Sequence, residues 1–319
     1  MSTESALPTI EPAARPARRR ARVRPGRALA PYALLAPSLV VIVAVLAFPL
    51  YQLVALSFQK YGLFELIAHK GQWIGLDNYS RIFHDRQFWT VLVRTAGFTA
   101  FTVGSTMVLG TLIALLLAQL GGFMRLLITT GLVLVWAMPP VVSVNIWAWM
   151  VDYEFGVANW VLAHLGLSYF DHHDWFVNPW EGFAVIAAII VWGAIPFVAI
   201  TVYAGLTQVP RELVEAASID GSNAFRIFRD ITLPILKPIF IILASLSVIW
   251  NFQIFSQIWI IRNYRPESDY FVMSIYSFVT SFNVSNYGLG SAIALVMVLV
   301  MLSITFFYIR QMVRIGETD

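Results

Sequence analysis

The sequence predicts an all-α integral membrane protein with six transmembrane helices. Three observations lead there. First, 59% of the 319 residues are hydrophobic and 12% are charged, against about 25% charged in an ordinary soluble domain; mean hydropathy is +0.73. Second, the apolar side chains are gathered into blocks of membrane-crossing length. Third, one polar island, 210–238, carries Arg211, Glu212, Glu215, Asp220, Arg226, Arg229, Asp230 and Lys237 between uncharged runs. A charged block of that size cannot sit in hydrocarbon, so it belongs at one membrane surface. This composition excludes a soluble enzyme with one large core. Cysteine is absent, which excludes disulfide and thiolate chemistry.

Residues 1–30 read as a disordered cytoplasmic N-terminus, rich in Pro and Ala and carrying seven Arg from Arg15 to Arg27. Such a run reads as a topology anchor in preference to a nucleic-acid or anionic-lipid patch, and no nucleic-acid partner is expected. The membrane domain covers 31–312, with spans at 31–56, 92–119, 126–149, 183–206, 239–261 and 288–309, followed by a cytoplasmic tail, 313–319. With the N-terminus inside, fourteen of the twenty-one Lys and Arg fall on inside segments. The other seven (Lys60, Lys70, Arg81, Arg86, Arg94, Arg262 and Arg265) fall outside. Cytoplasmic loops carry the basic excess, so both termini and the island are expected in the cytoplasm.

The outer segments differ in character. Residues 57–91 hold one amphipathic stretch, from Tyr79 to Trp89. Residues 150–182 carry Asp152, Glu154, Asp171, Asp174 and Glu181, no Lys or Arg, and eight aromatic side chains. Two readings stand for this rim: a surface for a partner protein or polar ligand, or an interfacial helix lying on lipid. His172 and His173 beside Asp171 and Asp174 make a poor metal set, since adjacent positions on a short segment rarely converge on one ion.

Within the spans, Pro139 and Pro140 interrupt the third, and Gly193 and Pro196 the fourth. Such breaks are tolerated where a helix faces protein or an aqueous path. The fifth span, read as one helix, sets Gln253 and Gln257 one turn apart, with Asn251 half a turn round and Ser256 close by. An amide left unpaired against lipid costs about 1–3 kcal/mol, so these side chains are expected to point into the bundle. Beside Phe252, Phe255 and Trp259 they suit a polyhydroxylated solute: amides for the hydroxyls, aromatic faces for the sugar ring. Asn145 with Trp147 is a second candidate. Hydrogen bonding between helices is the alternative role for all these amides.

Mechanism is narrowed by what is missing. No Asp, Glu, Lys, Arg or His lies mid-span, which disfavours a proton relay or an ion-coupled symporter. No G-x-x-x-x-G-K-[ST] loop occurs, and the soluble stretches are too short for a nucleotide-binding domain. No hydrolytic constellation is present either. The chain is therefore expected to be non-catalytic and to bind no cofactor itself. Energy for uphill transport must then arrive from another polypeptide, through the island. There Pro210 suits a first helical turn, Leu213, Ala216 and Ala217 share one face, Gly221 permits a sharp turn, and Ser222 is placed to cap a second short helix. Pro234 and Pro238 are expected to end that helix and restart the chain into the fifth span.

Glu215-Ala216-Ala217, then Asp220-Gly221, then Ile231-x-Leu233-Pro234 resembles the EAA signature of binding-protein-dependent ABC importer permeases. Gly75-Leu76-Asp77-Asn78-Tyr79, Phe155-Gly156-x-x-Asn159 and Tyr287-Gly288-x-Gly290-Ser291-Ala292 resemble the sugar branch, related to the larger membrane subunit of the maltose transporter. The resemblance covers about residues 30–312. It implies a cytoplasmic coupling helix in the 207–238 loop, with Glu215 as the partner-facing acid, Ala216 and Ala217 as the close-packing surface, and Asp220-Gly221 at the turn. It also implies a second permease subunit, two ATPase subunits that bind the ATP, an extracytoplasmic sugar-binding protein, and a bacterial inner membrane. The run Asn251-Phe252-x-x-Phe255-x-Gln257 looks most like permeases for chitobiose or N-acetylglucosamine-type sugars. One departure is the run Arg262-Asn263-Tyr264-Arg265-Pro266-Glu267, where many relatives carry Thr-x-Gly-Gly-Pro. The rival readings are the same machinery for glycerol phosphate or a polyamine, and a six-span scaffold or receptor without transport.

Overall fold

The computed structural model describes residues 25–316. The Arg-rich segment 1–24 and the end of the tail, 317–319, lie outside the described residues, and so do most of the two terminal expectations. Residues 25–30, expected to be disordered, already belong to helix α1 (Pro25–Ser57), and 313–316 belong to the last helix. The chain divides into two compact units, Met1–Tyr51 and Gln52–Asp319. The first contains most of α1, whose described side chains are almost entirely apolar from Leu34 to Leu50.

The second unit opens with a short antiparallel ribbon, β1 (Gln59–Lys60) with β2 (Gln72–Trp73), pairing Gln59 with Trp73. Helix α2 (Leu63–Ala68) lies within the ribbon loop, and α3 (Asp77–His84) is the amphipathic stretch foreseen near Tyr79. Asp85 ends α3 and caps α4 (Arg86–Gln119), its carboxylate accepting from the Gln87 N–H at 2.8 Å. That cap starts the helix six residues before the predicted span and draws Arg86 into it.

The third predicted span is not one straight helix. It is α5 (Gly122–Trp136) and α6 (Pro140–Met150), bent by 101°. Pro139 stands at φ −58°, ψ 138° and Pro140 opens α6, the position a proline tolerates. Helix α7 (Val157–His164) follows, then α8 (Pro179–Leu206), which continues unbroken through Pro196. Helices α4 and α8 form the central pair. Gly110 lets them close up: a Cβ there would lie 2.6 Å from Val198 Cγ1.

After α9 (Arg211–Ile219) come α10 (Ala224–Ile227), a π turn at Phe228–Thr232, and α11 (Leu233–Phe252). Together α10 to α11 make one 29-residue helix, Ala224–Phe252. Pro234 and Pro238 therefore do not stop the chain as expected. Pro234 falls in the first turn of α11, where the widened π turn before it absorbs the missing N–H and the ring. The cap of α10 is Asn223, which accepts from the Arg226 N–H at 2.9 Å, rather than Ser222.

The fifth predicted span is also broken, at 253–255, between α11 and α12 (Ser256–Ile261). The sequence did not foretell α13 (Met273–Phe278), which is fully buried at Met273 and Ile275. A second π turn leads to α14 (Tyr287–Gly316). In all, five described helices are long and apolar enough to cross a membrane, and the bent α5–α6 pair makes a sixth candidate. Two apolar clusters hold the unit together. The larger gathers Phe88, Ile186, Ile258, Met273 and Ile293; the smaller gathers Ala114, Val198, Val202, Leu236 and Leu243.

Candidate functional site

Two helix interruptions and the middle of α8 meet at one cavity of about 450 Å³. The α5–α6 elbow contributes Trp136, Pro140 and Ser143. Helix α8 contributes Trp192, Gly193 and Phe197, and α11 with its break contributes Ser247, Trp250, Asn251, Gln253, Phe255, Ser256 and Gln257. On α8, Pro196 has no N–H for the carbonyl of Trp192, four residues earlier, and Trp192 itself lines the cavity. Gly193, also lining the cavity, borders open space, since a Cβ there would meet nothing within 4 Å.

Gln253 and Gln257 do share one site, though not as neighbours on one helix. Gln253 ends α11 and Gln257 lies in the first turn of α12, and the break swings both to the cavity. Asn251 is 5% exposed. Its Nδ2 donates to the Ser247 carbonyl at 2.7 Å, while its Oδ1 has no protein partner. Asn145 lies off this cavity, exposed on α6 with its Nδ2 donating to the Val141 carbonyl at 2.7 Å.

Aromatic rings frame the amides. Trp136 stacks on Phe197 at 6.4 Å, Phe197 meets Trp250 edge-on at 5.3 Å, and Phe255 stacks on Trp259 at 5.3 Å. No residue lining the cavity is ionisable. The chemistry on offer is neutral hydrogen bonding and flat apolar faces. Sequence reasoning missed Ser143, Ser247, Trp136 and Trp250. Ser247 could have been found, because it precedes Asn251 by one turn.

The island forms a separate exposed feature. Glu215 and Ala216 are exposed on α9, Ala217 is half-buried, and Glu215 has no ion-pair partner among the described residues. Asp220 ends the helix and Gly221 takes φ +81°, a left-handed turn that favours glycine. Beside the turn, Ile219 and Phe225 are 86% and 70% exposed, large apolar side chains with no cover of their own.

The 150–182 segment is internally tied. His173 Nε2 meets Glu181 Oε2 at 2.7 Å, whereas His172 Nδ1 meets Asp171 Oδ1 at 3.0 Å, so the two histidines turn to different acids. The Glu181 carboxylate pushes the Tyr169 hydroxyl above the usual phenol range. Backbone N–H groups of Phe155 and Glu154 hold the Asp152 carboxyl below its ordinary value. The departing loop is clamped: Arg262 pairs with Glu267 at 2.7 Å and lies over the rings of Tyr270 and Phe176 at 4.5 and 5.3 Å.

Residues 106–314 match the model of the family described as the binding-protein-dependent transport system inner membrane component. The chain belongs to this family. Among its relatives, the diacetylchitobiose uptake system permease protein DasB of Streptomyces coelicolor is 40% identical over 95% of this chain and 92% of its own length. The trehalose/maltose transport system permease protein MalF of Thermococcus litoralis is 34% identical over 74% of this chain and 79% of its own. The fold is shared with a solved bacterial ABC transporter for alginate import, at a TM-score of 0.76, 21% identity, and coverage of 91% and 97% of the two chains. The protein is thus a multi-pass ABC permease subunit, a transporter component rather than a catalyst.

Proposed function

We propose that this permease conducts a neutral sugar or short oligosaccharide, of the diacetylchitobiose class, through the cavity between α5–α6, α8 and the α11–α12 break. The uncharged lining of that cavity is the observation that carries the reading: amides and hydroxyls between aromatic rings, with no ionisable side chain. Its volume falls within the about 300–1,000 Å³ of small-molecule sites. The name of the 40%-identical relative supports the same substrate class. A phosphate-bearing or cationic solute would call for a charged group at this wall.

In the proposed assembly the permease pairs with a second permease, two ATPase subunits that bind ATP, and an extracytoplasmic binding protein. It spans the bacterial inner membrane six times, with both termini and α9 in the cytoplasm. Helix α9 seats on an ATPase subunit: Glu215 pairs with a basic group there, Ala216 and Ala217 allow close approach, and Ile219 and Phe225 are covered. ATP-driven closure moves α9, the bundle opens outward to receive solute from the binding protein, and hydrolysis resets it. The test is ATP-driven uptake by the reconstituted complex, offering labelled diacetylchitobiose, maltose, glycerol 3-phosphate and spermidine. Saturable uptake of a neutral sugar is expected; uptake confined to the charged solutes would overturn the reading.

A further inference from the structure

The break that brings Gln253 and Gln257 to one wall has no cause in its own segment. The local run is Asn251-Phe252-Gln253-Ile254-Phe255-Ser256-Gln257, without proline or glycine. Sharp breaks otherwise come from those residues, from a π turn, or from a side chain inserted into the hydrogen-bond ladder. Yet Gln253 takes φ −101°, ψ 21°, and Phe255 takes φ −134°, ψ −59°.

The cause lies on α13. Ser274 Oγ donates to the carbonyl of Ile254, a group the break leaves without a backbone donor. One turn on, Phe278 packs edge-on against Phe255 at 5.1 Å and Trp259 at 4.9 Å. Ile254 and Ile258 are buried in the same cluster as Met273 and Ile275. The face of α13 carrying Ser274 and Phe278 therefore supplies both the hydrogen bond that the unwound turn lacks and the aromatic contact that fixes Phe255 out of the helix.

We infer that Ser274 is a positioning residue for solute recognition. Its hydroxyl holds the Ile254 carbonyl, keeps the α11–α12 break in place, and so sets where Gln253 and Gln257 stand in the cavity. This rests on the cavity being the solute path. Ser274 touches no solute itself, since it does not line the cavity.

The experiment measures the affinity of the assembled complex, held with a non-hydrolysable ATP analogue, for labelled diacetylchitobiose. Ser274→Ala is expected to weaken it about tenfold, the equivalent of one lost hydrogen bond. Ser274→Thr, which keeps the hydroxyl, is expected to restore it to within about twofold. In Ser274→Ala, Gln257→Ala should add little, because Gln257 is already misplaced, whereas alone it weakens binding about tenfold. Hydrogen exchange should quicken in peptides covering 253–257 and not in α4 or α8. Unchanged affinity and exchange in Ser274→Ala, with a clear loss in Gln257→Ala, overturns the positioning role while leaving the cavity reading intact. Unchanged affinity in both Gln253→Ala and Gln257→Ala overturns the cavity reading and the Ser274 role with it. If Ser274→Ala does not assemble, Ser274→Cys, a weaker donor, decides by the same two measurements.

Discussion

Replacing Asn251 with leucine should move stability and solute affinity in opposite directions. Asn251 is 5% exposed and its Oδ1 accepts from no protein group; a buried unsatisfied acceptor costs about 1–3 kcal/mol. Leucine has nearly the same shape and removes that cost. It also removes the Nδ2 bond to the Ser247 carbonyl, worth about 0.5–1.5 kcal/mol net, but that carbonyl still lies within the α11 ladder and is not orphaned. The balance favours the variant by about 1 kcal/mol, a rise in Tm on the order of 2 °C. Oδ1 is shielded in this conformation; the solute hydroxyl it would accept from once the bundle opens is left facing a methyl group. That costs about 1–3 kcal/mol of binding, or roughly five- to hundredfold in affinity at 1.4 kcal/mol per decade. Thermal unfolding of the purified complex and retention of labelled diacetylchitobiose read the two effects separately. A variant that is less stable and binds solute normally would refute the reasoning, and would show that Asn251 joins helices instead.

Three further outcomes are expected. Ala217→Trp on α9 should abolish uptake by the reconstituted complex while the permease still folds and inserts, read by detergent-stable expression; full ATP-driven uptake in this variant would remove α9 from the coupling route. Gly110→Leu should cost about 1–3 kcal/mol by overpacking, because Val198 and the Ala199 backbone stand 2.6 and 3.3 Å from the new Cβ, and thermal unfolding measures it. Tyr276→Phe removes the 2.6 Å bond to Asp85 Oδ2 and should cost about 1.5–3 kcal/mol, as for a hydrogen bond to a charged group. Burial first, and the Asp85 carboxylate second, push the Tyr276 hydroxyl above its ordinary range. Its folded value exceeds the unfolded one, so its contribution is whole below about pH 10 and fades as pH rises beyond it. Unfolding followed from pH 8 to 11 should therefore show a steeper alkaline loss in the parent than in Tyr276→Phe.

The parts of the molecule governed by local rules were readable from the chain. Blocks of apolar residues mark the long helices because nothing else satisfies the backbone in lipid. Pro139-Pro140 marks the elbow, and Asp220-Gly221 marks the turn after α9, because each residue type imposes its own dihedral. The features that were not readable are tertiary. The 253–255 break is imposed by Ser274 and Phe278 from a distant segment, so a helix-period reading of Asn251, Gln253 and Gln257 fails there despite naming residues that meet at one wall. Helix α13 is too short for a span and too apolar for a loop, and only burial against α4 and α14 explains it. Asn223 outcompetes Ser222 as a cap because the left-handed Gly221 fixes where the next helix can start. Pro234 was misread because a π turn just before it can absorb what an α-turn cannot, and Pro238 lies within the continuing α11 helix.

The two features that matter most for the proposed function lie at opposite ends of one rigid element. Ala224–Phe252 is 29 residues of helix, about 43 Å at 1.5 Å per residue. It begins three residues after Gly221, beside the exposed island, and ends at Asn251 and Gln253 in the cavity. A rigid helix transmits a displacement at one end to the other without any chain of side-chain rearrangements, so on the proposed coupling role α11 is the mechanical link. Replacing Ala244 and Ser245 with glycine, which keeps the helix register, tests this. Each interior glycine costs about 1 kcal/mol of helix stability, enough to loosen the link but not to unfold a helix packed against α4, α8 and α14. Binding-protein-stimulated ATP hydrolysis should persist while sugar moved per ATP falls about tenfold or more, a loss of roughly 1.4 kcal/mol in coupling. A matched glycine pair in α14, at Leu302 and Ser303, controls for general disruption. If uptake and hydrolysis fall together in the α11 variant and in the α14 control alike, the link is not α11, and the island must reach the cavity by another path.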